Sequence, residues 1–242
     1  MKDRLDLARE WIREVLGVAS VDLQPASMDA SFRRYFRIRT TDTSLILMDA
    51  PPQKEDCRPY LAVGDLLAQA GVHVPAVHAR ELESGFLLLE DLGTRCYMDE
   101  LDSGSADALY ADAVDALIAM QGGIPANAVP DYDRTLVMNE LSLFEDWFLG
   151  RHLGVDSGGK TGEVLRSSLR FLAEEFVAQE KVFVHRDYHS RNLMRTSERN
   201  PGVLDFQDAV SGPAVYDVIS LLRDVYVEWP ADRVRALSLI HI

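Results

Sequence analysis

A cluster of two aspartates and one asparagine has the chemistry needed for metal-assisted phosphoryl transfer. A short apolar run ends at His185, Asp187 follows two residues later, and Asn192 comes after four intervening residues. A second apolar run ends at Asp205. Transfer of the terminal phosphoryl group of ATP needs a carboxylate that orients and deprotonates the acceptor, and oxygen ligands that hold Mg²⁺ against the phosphates. The pattern therefore predicts Asp187 as the catalytic residue and Asn192 and Asp205 as metal ligands.

The spacing also predicts how the two metal ligands meet. Residues 197–202 (Ser-Glu-Arg-Asn-Pro-Gly) are a strong turn signal between the apolar pairs 193–194 and 203–204. If these pairs form a β-hairpin, Asp205 lies beside Asn192, where carboxylate and amide oxygens can share a hard cation. The alternative is a surface hairpin with incidental carboxylates.

The pattern resembles the catalytic motif of the aminoglycoside phosphotransferase and choline kinase superfamily, the small-molecule relatives of protein kinases. Stretches 29–37, 48–52, 89–93 and 185–192 together resemble bacterial kinases that phosphorylate N-acetylmuramate and N-acetylglucosamine at the anomeric hydroxyl in cell-wall sugar recycling. The resemblance extends from about residue 11 to residue 229 and implies an enzyme that uses ATP and Mg²⁺.

Composition limits the alternatives. A chain of 242 residues with 47% hydrophobic residues can bury a core as one domain or two packed lobes. A net charge of −14 argues against nucleic acid or an anionic membrane as the partner. Cys57 and Cys96 lack the spacing of a zinc site or disulfide framework. With no long apolar run and a charged start, we expect a soluble, cytoplasmic and monomeric protein.

The periodicity of apolar residues predicts an α+β architecture. Strands are predicted at 35–39, 45–48, 72–79, 86–90 and 182–184, and helices at 5–16, 60–70, 106–120, 138–153, 162–178 and 216–227. With the resemblance, this order predicts a bilobal, protein-kinase-like fold. A small sheet-rich lobe (1–91) binds the nucleotide, and a mostly helical lobe (92–242) supplies catalysis and the acceptor site. Core packing is expected for three aromatic residues at helical spacing, Phe144, Trp147 and Phe148.

The segment 31–35 lies where a kinase places the hairpin loop that covers the phosphates, although it lacks the usual glycine pattern. The resemblance predicts ATP contacts from four of its residues, Ser31, Phe32, Arg33 and Arg34. Kinases also place a Lys on the next strand to bind the phosphates, but strand 45–49 has none. Either an arginine of the loop or Lys54 takes this role, and arginine can bind phosphate bidentately. The alternative is a solvated basic turn.

Four further residues are assigned by resemblance. Glu90 and Leu92 lie in a strand and joint that would offer backbone groups to adenine, although any buried strand entering an acidic turn looks similar. Asp217 resembles a carboxylate that braces the catalytic loop, and it could equally stabilise a helix N-terminus. His185 is expected to be a packed, hydrogen-bonded residue that orients its neighbours, rather than a metal ligand.

The acceptor is predicted to be a small molecule. The link between Asp205 and Asp217 is short and lacks the Ala-Pro-Glu of protein kinases. The acidic charge would suit an aminoglycoside or choline, whereas Arg191 and Arg195 would suit the carboxylate of N-acetylmuramate. The resemblance favours the amino sugar. The missing strand Lys leaves a further alternative, an ATP-binding module without turnover.

Members of the resembled family continue well beyond the helix that begins at Tyr216, whereas this sequence ends at Ile242. We therefore expect a truncated or atypical C-terminus, with part of the acceptor pocket absent.

Overall fold

The N-terminal part of the protein begins with an amphipathic helix. The computed structural model describes three stretches of the chain, residues 3–27, 32–41 and 43–241. Helix α1 spans Arg4–Leu16 and buries Ala8 and Ile12 against one face of a sheet. It ends where Gly17 adopts a left-handed conformation with φ of 65°, which a residue without Cβ takes at little cost. The predicted helix and its glycine stop are confirmed.

Five antiparallel strands form this sheet, in the order β1-β2-β3-β5-β4. They span Gln24–Ser27, Arg34–Arg39, Ser44–Asp49, Val77–Glu81 and Phe86–Glu90, and helix α2 (Cys57–Gln69) lies between β3 and β4 in sequence. The predicted hairpin of β2 and β3 is confirmed, and its register places Arg34 opposite Asp49. Strand β1 was not predicted, because it is short and contains Pro25, which weakens any strand signal.

The strand predicted at 72–79 is wrong over most of its length, since β4 begins only at Val77. The preceding residues bind the catalytic hairpin instead. The N–H of Val203 donates to the carbonyl of His73 at 2.7 Å, and Val72 and Val74 are buried in the main core. These contacts with a distant part of the chain draw residues 72–74 away from the sheet.

The C-terminal part of the chain is built mainly from helices. Its helices are α3 (Tyr97–Glu100), α4 (Ala106–Gly123), α5 (Arg134–Leu143), a π-helix (Phe144–His152), α6 (Gly159–Val177), α7 (Tyr216–Leu222) and α8 (Ala231–His241). Two short antiparallel pairs accompany them: β6 (Lys181–Val184) with β9 (Val210–Pro213), and β7 (Leu193–Met194) with β8 (Gly202–Val203). Helix α4 is the central element, because an entire face of it is buried. No helix in the described stretches is long and apolar enough to cross a bilayer.

The helix predicted at 138–153 differs from the observed elements. The α-helix ends at Leu143 and continues as a π-helix. The prediction that the three aromatic residues pack in the core is wrong, because Phe144, Trp147 and Phe148 are 44%, 55% and 45% exposed. They contact one another and nearby basic side chains: Phe144 stacks on Phe148, and Arg151 lies over Trp147. Helical spacing predicted a shared face but not which way that face points.

Helix α7 is shorter than the predicted 216–227. It ends at Leu222 because Asp224, two residues later, is recruited by the catalytic loop. Oδ2 of Asp224 accepts the N–H of Ser190 at 2.8 Å, and its Oδ1 accepts the N–H of Tyr226 at the same distance. A continued helix would have directed this side chain elsewhere.

One hydrophobic core joins the sheet to the helices. It contains Met48 and Leu87 from the sheet, Leu117 from α4 and Phe206 from the segment after β8. The ring of Tyr60 in α2 packs on Phe206 with 4.7 Å between centroids. The two parts are thereby held against each other beside a cleft, and the predicted α+β class is confirmed.

Candidate active site

A buried carboxylate holds the loop that carries Asp187. Strand β6 ends at Val184, and Asp217 on α7 accepts the backbone N–H of His185 at 2.6 Å and that of Arg186 at 3.0 Å. Arg186 adopts a left-handed conformation with φ of 77°, which turns the chain sharply before Asp187. Burial raises the pKa of Asp217 to about 7, and the two N–H donors oppose that shift. The bracing role predicted for Asp217 therefore has a direct geometric counterpart.

His185 packs inside this loop. Its side chain is fully buried, and Nε2 lies 3.0 Å from the carbonyl oxygen of Leu204, to which it can donate a proton. Burial lowers the pKa of His185 to about 4, so the ring is neutral at physiological pH. A neutral ring that bonds the residue before Asp205 links the catalytic loop to the metal-binding hairpin.

The hairpin β7–β8 brings the predicted metal ligands to one place. Leu193 pairs with Val203, one position from the predicted register, and the N–H of Leu204 donates to the carbonyl of Asn192 at 2.9 Å. Asn192 and Asp205 therefore leave the hairpin side by side and line one cavity.

The side chains of these two residues are oriented by their neighbours. Nδ2 of Asn192 donates to the carbonyl of Asp187 at 3.0 Å, which leaves its amide oxygen available for a cation. Asp205 has φ of 61°, and its Oδ1 accepts a hydrogen bond from Gln207 at 2.8 Å. An amide oxygen and a carboxylate suit Mg²⁺, which usually binds to one or two protein carboxylates and to substrate phosphates. No group of three or more His, Cys, Asp or Glu residues in the described stretches could hold a metal alone.

Asp187 lies on the cleft surface, outside this pair. Loss of hydration in the cleft raises its pKa above the ordinary value, and the negative charge of Asp205 adds to that shift. A carboxylate with a raised pKa is a stronger base. The position and electrostatics of Asp187 therefore suit a group that accepts a proton from a hydroxyl.

One arginine of the predicted phosphate loop faces the metal-binding hairpin. Nη1 of Arg33 lies 4.0 Å from Oδ1 of Asp205, and its Nε lies 3.1 Å from Oε2 of Glu55. Arg33 is largely buried, with a side chain 13% exposed. It therefore brings a fixed positive charge to the place where Asp205 would hold a metal and its phosphates.

The other predicted residues of this loop are placed differently. Nη2 of Arg34 lies 2.5 Å from Oδ2 of buried Asp49, which also binds Arg4, so the charge of Arg34 is paired within the sheet and its contact with ATP stays a prediction. The β2–β3 register accounts for this, because it sets Arg34 opposite Asp49. Phe32 is 57% exposed with the ammonium of Lys54 over its ring, and neither residue lines the cavity. Ser31 lies outside the described residues.

The cleft between sheet and helices contains a cavity of about 660 Å³. Predicted residues that line it are Asp187, Asn192, Asp205, Glu90 and Leu92. Apolar side chains also line it: Ile46 and Leu89 come from the sheet, and Met194 and Leu204 from the hairpin and the residue after it. Such an apolar slot suits a flat aromatic base.

Sequence reasoning missed the residues that fix the joint at one end of this slot. Arg37 donates two hydrogen bonds to Asp91, at 2.6 and 2.9 Å, and a third to the carbonyl of Gly93 at 2.7 Å. Ser44 also bonds Asp91. The alternating Arg residues of β2 were visible in the sequence, but their partner on a distant joint was not.

A second missed group lies behind the catalytic loop. The guanidinium of Arg186 binds Oε1 of Glu140 at 2.5 Å and lies over the ring of Tyr132, whose hydroxyl also bonds Glu140. Glu140 is on α5, far from the motif in sequence. It is therefore an anchor for Arg186, the residue before Asp187, that only the tertiary structure brings to this loop.

Comparison with known proteins identifies the family of this chain. A model of the phosphotransferase enzyme family (APH) matches residues 22–239. An N-acetylmuramate/N-acetylglucosamine kinase of Pseudomonas aeruginosa is 54% identical over 219 residues, which cover 90% of this chain and 64% of that protein. The chain thus spans slightly under two thirds of that relative's length.

Solved structures of low sequence identity share the fold. The ADP-bound aminoglycoside phosphotransferase APH(2'')-Ib superposes with a TM-score of 0.65 at 16% identity, over 96% of this chain and 80% of that chain. The choline kinase LicA of Streptococcus pneumoniae gives a TM-score of 0.66 at 13% identity, over 98% and 80%. These matches confirm the predicted kinase-like fold, and the family model and the 54% identical relative confirm the resemblance to the superfamily. The chain belongs to the phosphotransferase enzyme family.

Proposed function

We propose that this protein is a kinase that transfers the γ-phosphoryl group of ATP to the anomeric hydroxyl of N-acetylmuramate or N-acetylglucosamine. The observation that carries the proposal is the meeting of Asp187, Asn192 and Asp205 in one cavity, beside an apolar slot that ends at the joint after Glu90. The name of the 54% identical relative supports the choice of acceptor.

In the proposed reaction, the acceptor hydroxyl binds with its proton directed at the carboxylate of Asp187. The hydroxyl oxygen forms a bond to the γ-phosphorus, and the bond from that phosphorus to the bridging oxygen of ADP breaks. The proton passes to Asp187, whose raised pKa favours this transfer. The products are a sugar 1-phosphate and ADP.

The remaining residues position the donor. Asn192 and Asp205 would hold Mg²⁺, which neutralises charge on the phosphates when bound. Arg33, paired with Glu55, takes the place of the Lys–Glu ion pair that protein kinases use at this position. The backbone at Glu90 and Leu92 would bind adenine. We propose the sheet-rich residues 1–91 as the nucleotide-binding lobe and residues 92–242 as the catalytic and acceptor lobe.

A substrate panel tests the proposal. The purified protein would be incubated with Mg·ATP and, separately, N-acetylmuramate, N-acetylglucosamine, kanamycin and choline. Phosphate transfer would be followed by ADP release and by ³¹P NMR of the product. The expected product is a sugar 1-phosphate, which NMR distinguishes from a 6-phosphate. Phosphorylation of only kanamycin or choline would reject the sugar acceptor.

The same experiment addresses the alternative of a nucleotide-binding module without turnover. That alternative is favoured by the lack of a Lys on β3. Calorimetric binding of Mg·ATP without transfer to any acceptor would support it. Asp187, Asn192 and Asp205 are all present, however, and the cavity contains all three, so we expect turnover.

A further inference from the structure

Two arginines line the cleft cavity in the described part of the chain, and only one is neutralised by the protein. The charge of Arg37 is paired with Asp91, which accepts hydrogen bonds from its Nε and Nη2. Arg191, one residue before Asn192, forms no ion pair with any described carboxylate. A positive charge without an acidic partner, in a protein of net charge −14, is available to an anionic ligand.

The side chain of Arg191 is positioned rather than loose. Its guanidinium lies over the ring of Tyr226, 4.9 Å from the centroid. The same ring makes an edge contact with His189, at 5.3 Å between centroids. Asp224 accepts the N–H groups of both Ser190 and Tyr226 and thereby ties the loop that carries Arg191 to the segment after α7. Arg191 is therefore held on the helical side of the cleft, next to the catalytic loop.

The electrostatics of the cavity require such a cation for one kind of acceptor. Asp187, Asp205, Glu90 and Asp91 all line it, and bound ATP adds further negative charge. An acceptor that carries a carboxylate would be repelled unless a cation met it. Arg33 already faces Asp205 at the metal-binding end, so Arg191 is the cation left for the acceptor.

Arg195, the other arginine that the sequence suggested for this role, is placed elsewhere. It does not line the cavity, and its backbone N–H pairs with the carbonyl of Arg95 at 2.8 Å. The two positions are four residues apart, but β7 lies between them and carries Arg195 away from the cleft. It therefore serves as a matched control.

We propose that Arg191 binds the carboxylate of the lactyl ether on N-acetylmuramate and so determines the preference between the two sugars. The inference rests on the proposed function. N-acetylglucosamine has a hydroxyl where N-acetylmuramate has the lactyl ether, so this contact exists for one substrate only. Guanidinium and carboxylate form charge-assisted hydrogen bonds, which are stronger than neutral ones.

The test compares both sugars in Arg191→Gln, Arg191→Lys and the control Arg195→Gln. In Arg191→Gln we expect kcat/KM for N-acetylmuramate to fall about tenfold or more, mainly through KM, while that for N-acetylglucosamine changes less than about twofold. Arg191→Lys should recover part of the loss, because it restores the positive charge but cannot bind the carboxylate with two parallel hydrogen bonds as a guanidinium does. Arg195→Gln should match the wild type on both sugars.

A methyl ester of N-acetylmuramate separates the effect of the carboxylate charge from that of the rest of the lactyl group, because the ester is neutral. The wild type should use the free acid about tenfold better than the ester. Arg191→Gln should lose this preference and use the neutral ester at least as well as the acid, because the carboxylates that line the cavity then repel the acid. An equal loss for both sugars, a raised KM for ATP, or an unchanged preference for the acid would each overturn the inference while leaving the proposed function intact. A wild type that phosphorylates neither sugar would instead overturn the proposed function, and this inference with it.

Discussion

The guanidinium of Arg33 lies 4.0 Å from Asp205 and so connects the sheet region to the hairpin β7–β8 across the cleft. A contact with Glu55 at 3.1 Å holds it on the sheet side. Strand β3, where kinases place a phosphate-binding Lys, has no cation. In the proposed function, the pair of Arg33 and Glu55 supplies this charge from a different position in the chain.

This relationship predicts that Arg33→Ala lowers kcat/KM for ATP about tenfold or more, about 1.4 kcal/mol of transition-state stabilisation. Steady-state kinetics at saturating acceptor would measure it. Lys54→Ala is the control, because the ammonium of Lys54 lies over Phe32 and not in the cavity. A large loss in Lys54→Ala with near-normal kinetics in Arg33→Ala would mean that Lys54, and not Arg33, binds the phosphates.

A separate prediction concerns Arg34, whose partner is the fully buried Asp49. We expect Arg34→Ala to leave the KM for ATP within about twofold of wild type but to lower the free energy of unfolding by about 1 kcal/mol. The cost stays modest because Arg34 is itself half exposed and Arg4 still binds the same carboxylate. Urea denaturation would measure it, and a tenfold rise in KM with unchanged stability would contradict our placement of Arg34.

Asp187 and Asp205 are predicted to fail in different ways. Asp187→Ala should abolish transfer while the affinity for Mg·ATP stays nearly unchanged, because this carboxylate meets the acceptor. Asp205→Ala should weaken the binding of Mg·ATP itself, because it removes a metal ligand. Isothermal titration calorimetry with a non-hydrolysable ATP analogue, with and without Mg²⁺, separates the two. Equal effects on nucleotide affinity would show that this division of roles is wrong.

Glu140 is predicted to act on catalysis through Arg186. Arg186 has left-handed backbone geometry next to Asp187, and its side chain is held by Glu140 at 2.5 Å. Glu140→Gln should lower kcat about five- to tenfold with little change in the KM for ATP, because the loop loses its charged anchor. Glu174→Gln is the matched control, since its pair with Arg134 is exposed and 3.5 Å long. Equal kcat values for the two variants would mean that Glu140 contributes to the stability of the fold but not to catalysis.

His185 gives a prediction for the pH dependence of stability. Its pKa falls from 6.5 to about 4 on folding, so the unfolded chain binds the proton more tightly. The stability that His185 contributes is therefore present above pH 6.5 and is lost as the pH falls toward 4. Over that range the loss amounts to about 3 kcal/mol.

The variant His185→Gln would test this, since its amide can still donate to the carbonyl of Leu204. The difference in unfolding free energy between wild type and variant should shrink as the pH falls from 6.5 to 4. Urea denaturation at several pH values measures that difference. Asp217 titrates in both proteins and cancels in the comparison. A difference independent of pH would mean that His185 is not buried in its neutral form.

Local patterns predicted much of this molecule correctly. Apolar periodicity and turn residues are short-range properties, so helix α1 with its stop at Gly17, the β2–β3 hairpin and the catalytic hairpin could be predicted from sequence. The spacing of Asp187 and Asn192 was sufficient to predict that they lie close together, because both lie on one short loop. The same local reasoning placed the start of the strand at 72–79 too early, because the carbonyl of His73 bonds a hairpin more than a hundred residues away.

The partners of the charged side chains were decided only by the tertiary structure. Arg33 and Arg34 are neighbours with equal charge in the sequence, but strand register sends Arg34 to Asp49 and leaves Arg33 facing Asp205. Arg191 likewise precedes β7 and Arg195 follows it, and of these two arginines Arg191 lines the cavity. The sequence by itself determined the family, the fold class and the reactive groups, because these depend on residue types and local spacing. Which arginine meets phosphate, carboxylate or solvent depends on long-range packing, since an ion pair forms with whichever carboxylate the fold brings within about 4 Å.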